Sequence, residues 1–262
     1  MTPLHLHEWG DRDAPPLICL HGVTGHGRRF RRLAEERLAE RFRVLAPDLR
    51  GHGRSDWEPP WTLRANLADV LETAAAAGVE QAVWLGHSYG GRLILELAAL
   101  EPSRIERAVL LDPAIDLLPH VGFDMAEDHR RDRVFGSMDE AIDARLERSS
   151  TTPRQFVEEE AREHLVEAPG GTYRWNYCQS AVVFAYGELC EPAPPPETLR
   201  APTLLVHAEH FGLVRDDQLA AYRAALRDRL QTAAVSGGHV VLWDAYEETA
   251  AAVAAFLEDP GP

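Results

Sequence analysis

The sequence predicts an α/β fold: a mostly parallel central sheet with helices on both faces and an inserted helical cap. Three observations predict it. Short apolar runs alternate with longer amphipathic stretches along most of the chain. Several of these runs are apolar throughout, as strands covered on both faces are. Residues 116–196 then break the rhythm with polar, charged sequence before the strand pattern resumes.

In chain order, Leu4–His7 alternates and is expected as an antiparallel edge strand. Leu17–Leu20, Val44–Ala46, Ala82–Leu85, Ala108–Leu111, Leu204–Val206 and Ala233–Val235 are the expected core strands. The helix-like stretches are Arg28–Glu40, Leu63–Ala77, Tyr89–Leu100, Asp216–Arg229 and Ala245–Leu257. Strand–helix alternation calls for parallel pairing, because a parallel crossover is usually made by a helix. The core domain is therefore expected over 1–115 and 197–262, and the cap over 116–196. Helical patches in the cap fall near Met138–Arg148 and Pro153–Val166. Pro192, Pro194, Pro195 and Pro196 read as a stiff connector back to the sheet.

The chain has 262 residues, 45% hydrophobic and 26% charged, enough to bury the core of one such domain. Its formal charge of −15 repels phosphate backbones and anionic membrane surfaces, which argues against nucleic acid as a partner. No apolar run approaches the length of a membrane span. Lysine is absent, so all 27 basic residues of the Lys/Arg class are arginine, and Schiff-base and Ser–Lys mechanisms are excluded. Cys19, Cys178 and Cys190 have no metal-ligand spacing, and their odd number argues against a disulfide framework. Residues 1–20 lack the pattern of a signal peptide. The expectation is a cytoplasmic protein with a small-molecule substrate, no cofactor and no metal, its oligomeric state left open.

The chemistry begins at Gly86-His87-Ser88-Tyr89-Gly90. This is G-x-S-x-G with an apolar strand before it and a helix former after it, the context the motif requires. A serine on such a strained turn stands clear of the backbone, and the amides of the following helix point at developing negative charge. A hydroxyl is not nucleophilic at neutral pH, so a base is needed. Among 12 histidines, His239 stands out. It follows Gly237-Gly238, between the last strand and the last helix, where loops gather at the same sheet edge as Ser88. His5, His7, His26, His120, His129 and His164 lack such positioning and are expected at the surface.

Four features now stand in order: His21-Gly22, the run Asp48-Leu49-Arg50-Gly51-His52-Gly53-Arg54-Ser55, the turn at Ser88, and Gly237-Gly238-His239. In these the sequence resembles the α/β-hydrolase superfamily, in its capped single-domain branch, over nearly the whole chain outside the cap. The resemblance implies that His21-Gly22-Val23 opens the oxyanion loop. It implies that the amides of Val23 and Tyr89 bind the oxyanion, each such donor being worth about 10²–10³ in rate. His21 and His52 would make loop-fixing hydrogen bonds.

The acid that orients the histidine is less plain. The resemblance implies an Asp at or next to Phe211, and the chain reads His207-Ala208-Glu209-His210-Phe211-Gly212 there. Some members carry the acid one strand earlier, where this chain has Leu111-Asp112-Pro113. Asp112 is the first candidate and Glu209 the second. Asp216 is better explained as the N-terminal charge of a helix, and a dyad without an acid stays open.

Ser88 excludes relatives with an aspartate nucleophile, such as haloalkane dehalogenases and epoxide hydrolases. A serine forms an acyl-enzyme, so the substrate offers an activated carbonyl. An ester or lactone of a small, largely apolar molecule is expected. A C–C bond hydrolase of diketone-type substrates and an acyltransferase or thioesterase are alternatives, and a ligand receptor on a hydrolase fold is the non-enzyme alternative. The pocket is expected to use Trp57, Trp61, Met125, Trp175, Tyr177, Phe184 and Phe211, aromatic or apolar side chains of the kind that line ligand pockets.

Overall fold

The computed structural model describes residues 3–149 and 151–258. Seven strands form the central sheet: β1 (Leu6–Trp9), β2 (Pro16–Leu20), β3 (Arg43–Pro47), β4 (Ala82–His87), β5 (Ile105–Leu111), β8 (Thr203–Ala208) and β9 (Leu230–Val235). Their order is β1-β3-β2-β4-β5-β8-β9. β1 runs antiparallel to β3, and every other pair is parallel. The continuous apolar runs have a simple cause. Ile18 and Leu20 of β2 enter one core cluster while Leu17 and Cys19 enter the other, and Trp84 and Val83 of β4 divide the same way. Side chains alternate across a pleated strand, so a strand with helices on both faces must be apolar at every position.

The helices lie between or after the strands. After β2 the chain forms a single-turn 3-10 stretch, then α1 (Arg31–Leu33), then a π stretch over Ala34–Leu38. This is where one regular helix over Arg28–Glu40 was expected. α2 (Leu63–Ala76) starts at Thr62, whose hydroxyl accepts from the Ala65 N–H at 3.1 Å. α3 (Tyr89–Leu100) follows β4 directly. α8 (Asp216–Leu226) begins with Asp216 and Asp217 in its first turn, where carboxylates oppose the helix dipole. α9 (Val241–Asp244) and α10 (Tyr246–Glu258) end the described chain. None of the described helices is long and apolar enough to cross a membrane.

Between β5 and β8 lie α4 (Pro119–His129), α5 (Met138–Leu146), α6 (Arg154–His164), β6 (Leu165–Ala168), β7 (Thr172–Trp175) and α7 (Gln179–Glu188). The segment is not purely helical as expected, because β6 and β7 pair as an antiparallel hairpin. The signal was present: Pro169-Gly170-Gly171 sits between β-forming residues, and both glycines adopt φ near +80°, the conformation such a turn demands. Arg92 of α3 ties both ends of this segment to the sheet. Its buried guanidinium donates to Ile115 O at 2.6 Å, to Glu191 O at 3.0 Å and to Pro192 O at 3.0 Å. Its Nε donates to Glu96 at 2.8 Å.

A second anchor is ionic. Glu160 of α6 accepts from both Nη2 and Nε of Arg29 and lies 2.9 Å from His26 Nε2, and all three residues are buried. His164 stacks on His26 at 4.2 Å between centroids. His26 and His164 are therefore not surface residues, as expected from sequence, but part of the junction between the inserted segment and the sheet. Burial pushes the His164 imidazole well below its usual range, the nearby His26 acting in the same direction. Burial opposes ionisation of Glu160, but the charges of Arg29 and His26 overcome it and hold its carboxyl well below the usual range.

Candidate active site

Ser88 occupies the turn between β4 and α3 with φ +54°, a conformation that costs a non-glycine residue about 1–3 kcal/mol and persists only where surroundings enforce it. Its N–H donates to Leu111 O at 3.0 Å, and its carbonyl accepts from the amides of Arg92 and Ala114, each at 3.1 Å. The flanking glycines are required by close approach. A Cβ on Gly86 would stand 2.4 Å from Gly90 O, and one on Gly90 would stand 2.0 Å from Leu20 O. The turn thus lies pressed onto β2, with the serine at the C-terminal edge of the sheet.

Asp112 stands one strand over, at the end of β5, with φ +40° and no exposed surface. Its N–H donates to Val206 O at 2.7 Å, and its Oδ1 accepts from the Ala208 N–H at 3.2 Å. Oδ2 lies 2.6 Å from Nδ1 of His239. A carboxylate only accepts, so Nδ1 carries the proton and Nε2 keeps its lone pair. That Nε2 lies 2.9 Å from Ser88 Oγ. Ser88, His239 and Asp112 therefore form one hydrogen-bonded chain across the ends of β4, β5 and the loop after β9. Glu209, the second candidate acid, is exposed, its backbone N–H paired with Val235 O at 3.1 Å. Asp216 is exposed at the start of α8.

The loop carrying His239 is fixed from two sides. Asp244 Oδ2 accepts from the Val240 N–H at 3.1 Å, and Asp244 Oδ1 from the Thr152 hydroxyl at 2.5 Å. From below, His87 Nε2–H donates to the His239 carbonyl at 2.9 Å. Burial pushes the His87 imidazole well below its usual range, and the neighbouring His239 adds to this. His87 is thus a neutral donor that holds the backbone of His239. Its role is not legible in sequence, because it occupies a variable position of the G-x-S-x-G motif. Phe211 stacks on the His239 ring, centroids 5.0 Å apart and planes 16° from parallel.

The geometry also accounts for the Val23 amide. The Gly22 carbonyl accepts from His21 Nδ1–H at 2.8 Å and from the Gly25 N–H at 2.9 Å. The peptide unit is planar and trans, so anchoring that carbonyl turns the Val23 N–H the other way. His21 Nε2 accepts from the Leu49 N–H at 2.9 Å, and His52 Nε2 pairs with Val23 O at 2.6 Å. Burial lowers both imidazoles, which keeps them neutral in these roles. Gly22 lies against Ser88: a Cβ there would be 3.2 Å from Ser88 Cβ. Among the described residues, neither the Val23 nor the Tyr89 amide donates to a backbone acceptor. The Tyr89 side chain plays no part at this edge, since it is buried and its hydroxyl accepts from Asn66 Nδ2 at 3.2 Å.

A cavity of about 940 Å³ opens onto His239 between the sheet edge and the inserted segment. Met125, Trp175, Tyr177 and Phe211 line it, as the sequence suggested, joined by Phe135, Tyr186 and Trp243. Trp57, Trp61 and Phe184 do not. The Trp57 ring lies under the Arg174 guanidinium at 5.2 Å, and its indole N–H donates to Gly53 O at 3.4 Å. Trp61 donates to Trp57 O at 3.1 Å. Phe184 faces solvent because α7 buries Ala181, Val182, Ala185 and Tyr186 instead. The mainly apolar lining also carries positive charge. Arg131, Arg133, Arg145 and Arg148 all reach it. Arg145 follows the buried Ala141 and Ile142 of α5 by four and three residues and so shares their face.

Three potential metal-ligand atoms converge once among the described residues, at His5, His7 and Asp48, within 4.8 Å of one another. Asp48 is already engaged there by His7 Nε2 at 3.1 Å and by the amides of Gly27 at 2.8 Å and Arg54 at 3.0 Å. These bonds fix the loop after β3.

A doubly covered parallel sheet with a serine on a left-handed turn after its central strand defines the alpha/beta hydrolase fold. The chain belongs to that family, matching it over residues 15–246. It is 34% identical to lipase LipV of Mycobacterium tuberculosis over 224 residues, 83% of each chain. It is 32% identical to esterase YbfF of Escherichia coli over 155 residues, 58% of this chain and 54% of the relative. Its fold is similar to that of E-2-(acetamidomethylene)succinate hydrolase, with a TM-score of 0.86 at 24% identity, covering 97% of this chain and 95% of that one.

Proposed function

We propose that this protein is a serine hydrolase that cleaves a carboxylic ester or lactone through an acyl-enzyme. The hydrogen-bonded chain Ser88–His239–Asp112 carries the reading. His239 Nε2 takes the Ser88 proton as Oγ attacks the carbonyl carbon. The carbonyl oxygen becomes the oxyanion and receives the Val23 and Tyr89 amides. His239 then returns the proton to the leaving alkoxide, and the C–O bond to it breaks. Water enters by the same steps in reverse order of roles, releasing the acid and restoring Ser88. Asp112 holds Nδ1–H in place and stabilises the imidazolium. The names of the relatives, a lipase and an esterase, support an ester as the bond. Residues 116–196 act as a cap that closes the cavity over His239.

A fluorophosphonate probe tests this. Labelling of the wild type that disappears in Ser88→Ala is the expected result. A wild type that resists the probe overturns the reading in favour of a ligand receptor on this fold.

A further inference from the structure

We propose that Arg145 is a carboxylate-binding subsite of the cavity, so that the substrate carries an anionic carboxylate in addition to its scissile carbonyl. The proposal rests on the reading of Ser88 as the acylated residue and names the substrate class for that site.

Arg145 is half-buried in the cavity lining. Its guanidinium lies over the Trp175 ring at 4.9 Å and 5.8 Å from that of Trp243, and its Nη2 is 3.5 Å from Thr24 Oγ1. Thr24 directly follows Val23, so the charge stands beside the oxyanion loop. Arginine stays charged in proteins and offers a planar fork that fits a carboxylate with two parallel bonds.

Arg131 is exposed to solvent, and the other neighbouring arginines have partners. Arg133 and Arg148 share Asp128, and Arg29 is neutralised by Glu160, which also serves His26. For Arg145, no carboxylate among the described residues lies within ion-pair distance. Burial, followed by the field of Arg29, pushes its pKa below the usual arginine value. Two indole faces and one hydroxyl compensate a buried guanidinium only in part, and they leave its fork free toward the cavity. In a chain of formal charge −15, acidic side chains are abundant, yet the one whose charge reaches Arg145 is Glu160, which is already committed to Arg29 and His26. An incoming carboxylate supplies the missing counter-charge.

Two ester pairs test the proposal: mono-4-nitrophenyl glutarate against 4-nitrophenyl butyrate, and 4-acetoxybenzoate against phenyl acetate. They put the carboxylate on the acyl and the alcohol side respectively. In at least one pair, kcat/KM is expected to favour the anionic ester about tenfold or more, chiefly through KM. Arg145→Gln is expected to reduce that ratio by about ten- to a hundredfold. Taking the ratio cancels any general loss of folded protein. No preference in either pair, or a preference that survives Arg145→Gln, overturns the subsite. If no ester is cleaved and the probe does not label Ser88, the hydrolase reading fails instead. Calorimetry with glutarate then decides the subsite separately: binding weakened by Arg145→Gln supports it, and equal or absent binding overturns it.

Discussion

His239 donates its Nδ1–H to Asp112 Oδ2, 2.6 Å away at the end of β5, while Phe211, beyond the end of β8, stacks on its ring. The carboxylate sets the tautomer of the ring, and the Phe211 ring lies 16° from parallel to it.

Replacing Asp112 by Asn keeps the shape but offers Nδ1 an N–H in place of a lone pair. Turnover is expected to fall by about 10⁴ in steady-state assays with an activated ester. Glu209→Gln is expected to change turnover by less than about twofold, because that side chain is exposed and the His239 Nδ1–H is already given to Asp112. A comparable loss in Glu209→Gln would return the acid to the later loop.

Glu160 is buried against Arg29 and His26. Glu160→Ala leaves a guanidinium in the interior without its counter-charge, and breaking such a pair costs about 3–5 kcal/mol. Urea unfolding should show that loss as a lower midpoint. An unchanged midpoint would mean that water reaches the junction.

Stability should fall as the medium becomes acidic. His21, His87 and His164 have folded pKa values well below the ordinary histidine value, and His52 is also lowered, burial being the first cause in each. Below about pH 6.5 the unfolded chain binds protons at these positions that the folded chain does not. Unfolding free energy therefore rises with pH up to that point, by as much as about 1.4 kcal/mol per pH unit for each histidine. Melting temperatures between pH 5 and 7.5 measure the slope. His164→Gln should flatten it, and an unaltered slope would contradict the buried neutral imidazole.

Gly90→Ala places a methyl group against the Leu20 carbonyl, at a nominal 2.0 Å. Neither a strand nor the first turn of α3 yields easily, so a loss of about 1–3 kcal/mol or more is expected. Thermal melts report it, and a wild-type melting temperature would show that the turn and β2 separate readily.

Much of the architecture was legible because it is written in local periodicity. The apolar runs from Leu17–Leu20 to Leu204–Val206 fall within the observed strands, and Tyr89–Leu100 matches α3 residue for residue. The helical patch expected near Pro153–Val166 runs directly into β6, and the hairpin that follows is hidden within the expected helical cap. His26 and His164 looked like surface residues because nothing in their own segments shows that Glu160 and Arg29 would meet them.

By itself the sequence determined the strand–helix alternation, the strained turn at Ser88 and the glycine-borne loop of His239. Each of these is a property of a few consecutive residues: side-chain period, backbone freedom, helix-forming tendency. Only the tertiary structure put Asp112 rather than Glu209 within hydrogen-bond distance of His239, left Trp57, Trp61 and Phe184 out of the cavity lining, and brought Arg145 to its wall. Those outcomes depend on which strands lie side by side and which helix face turns inward. Such contacts join residues far apart in the chain, and no local pattern contains them.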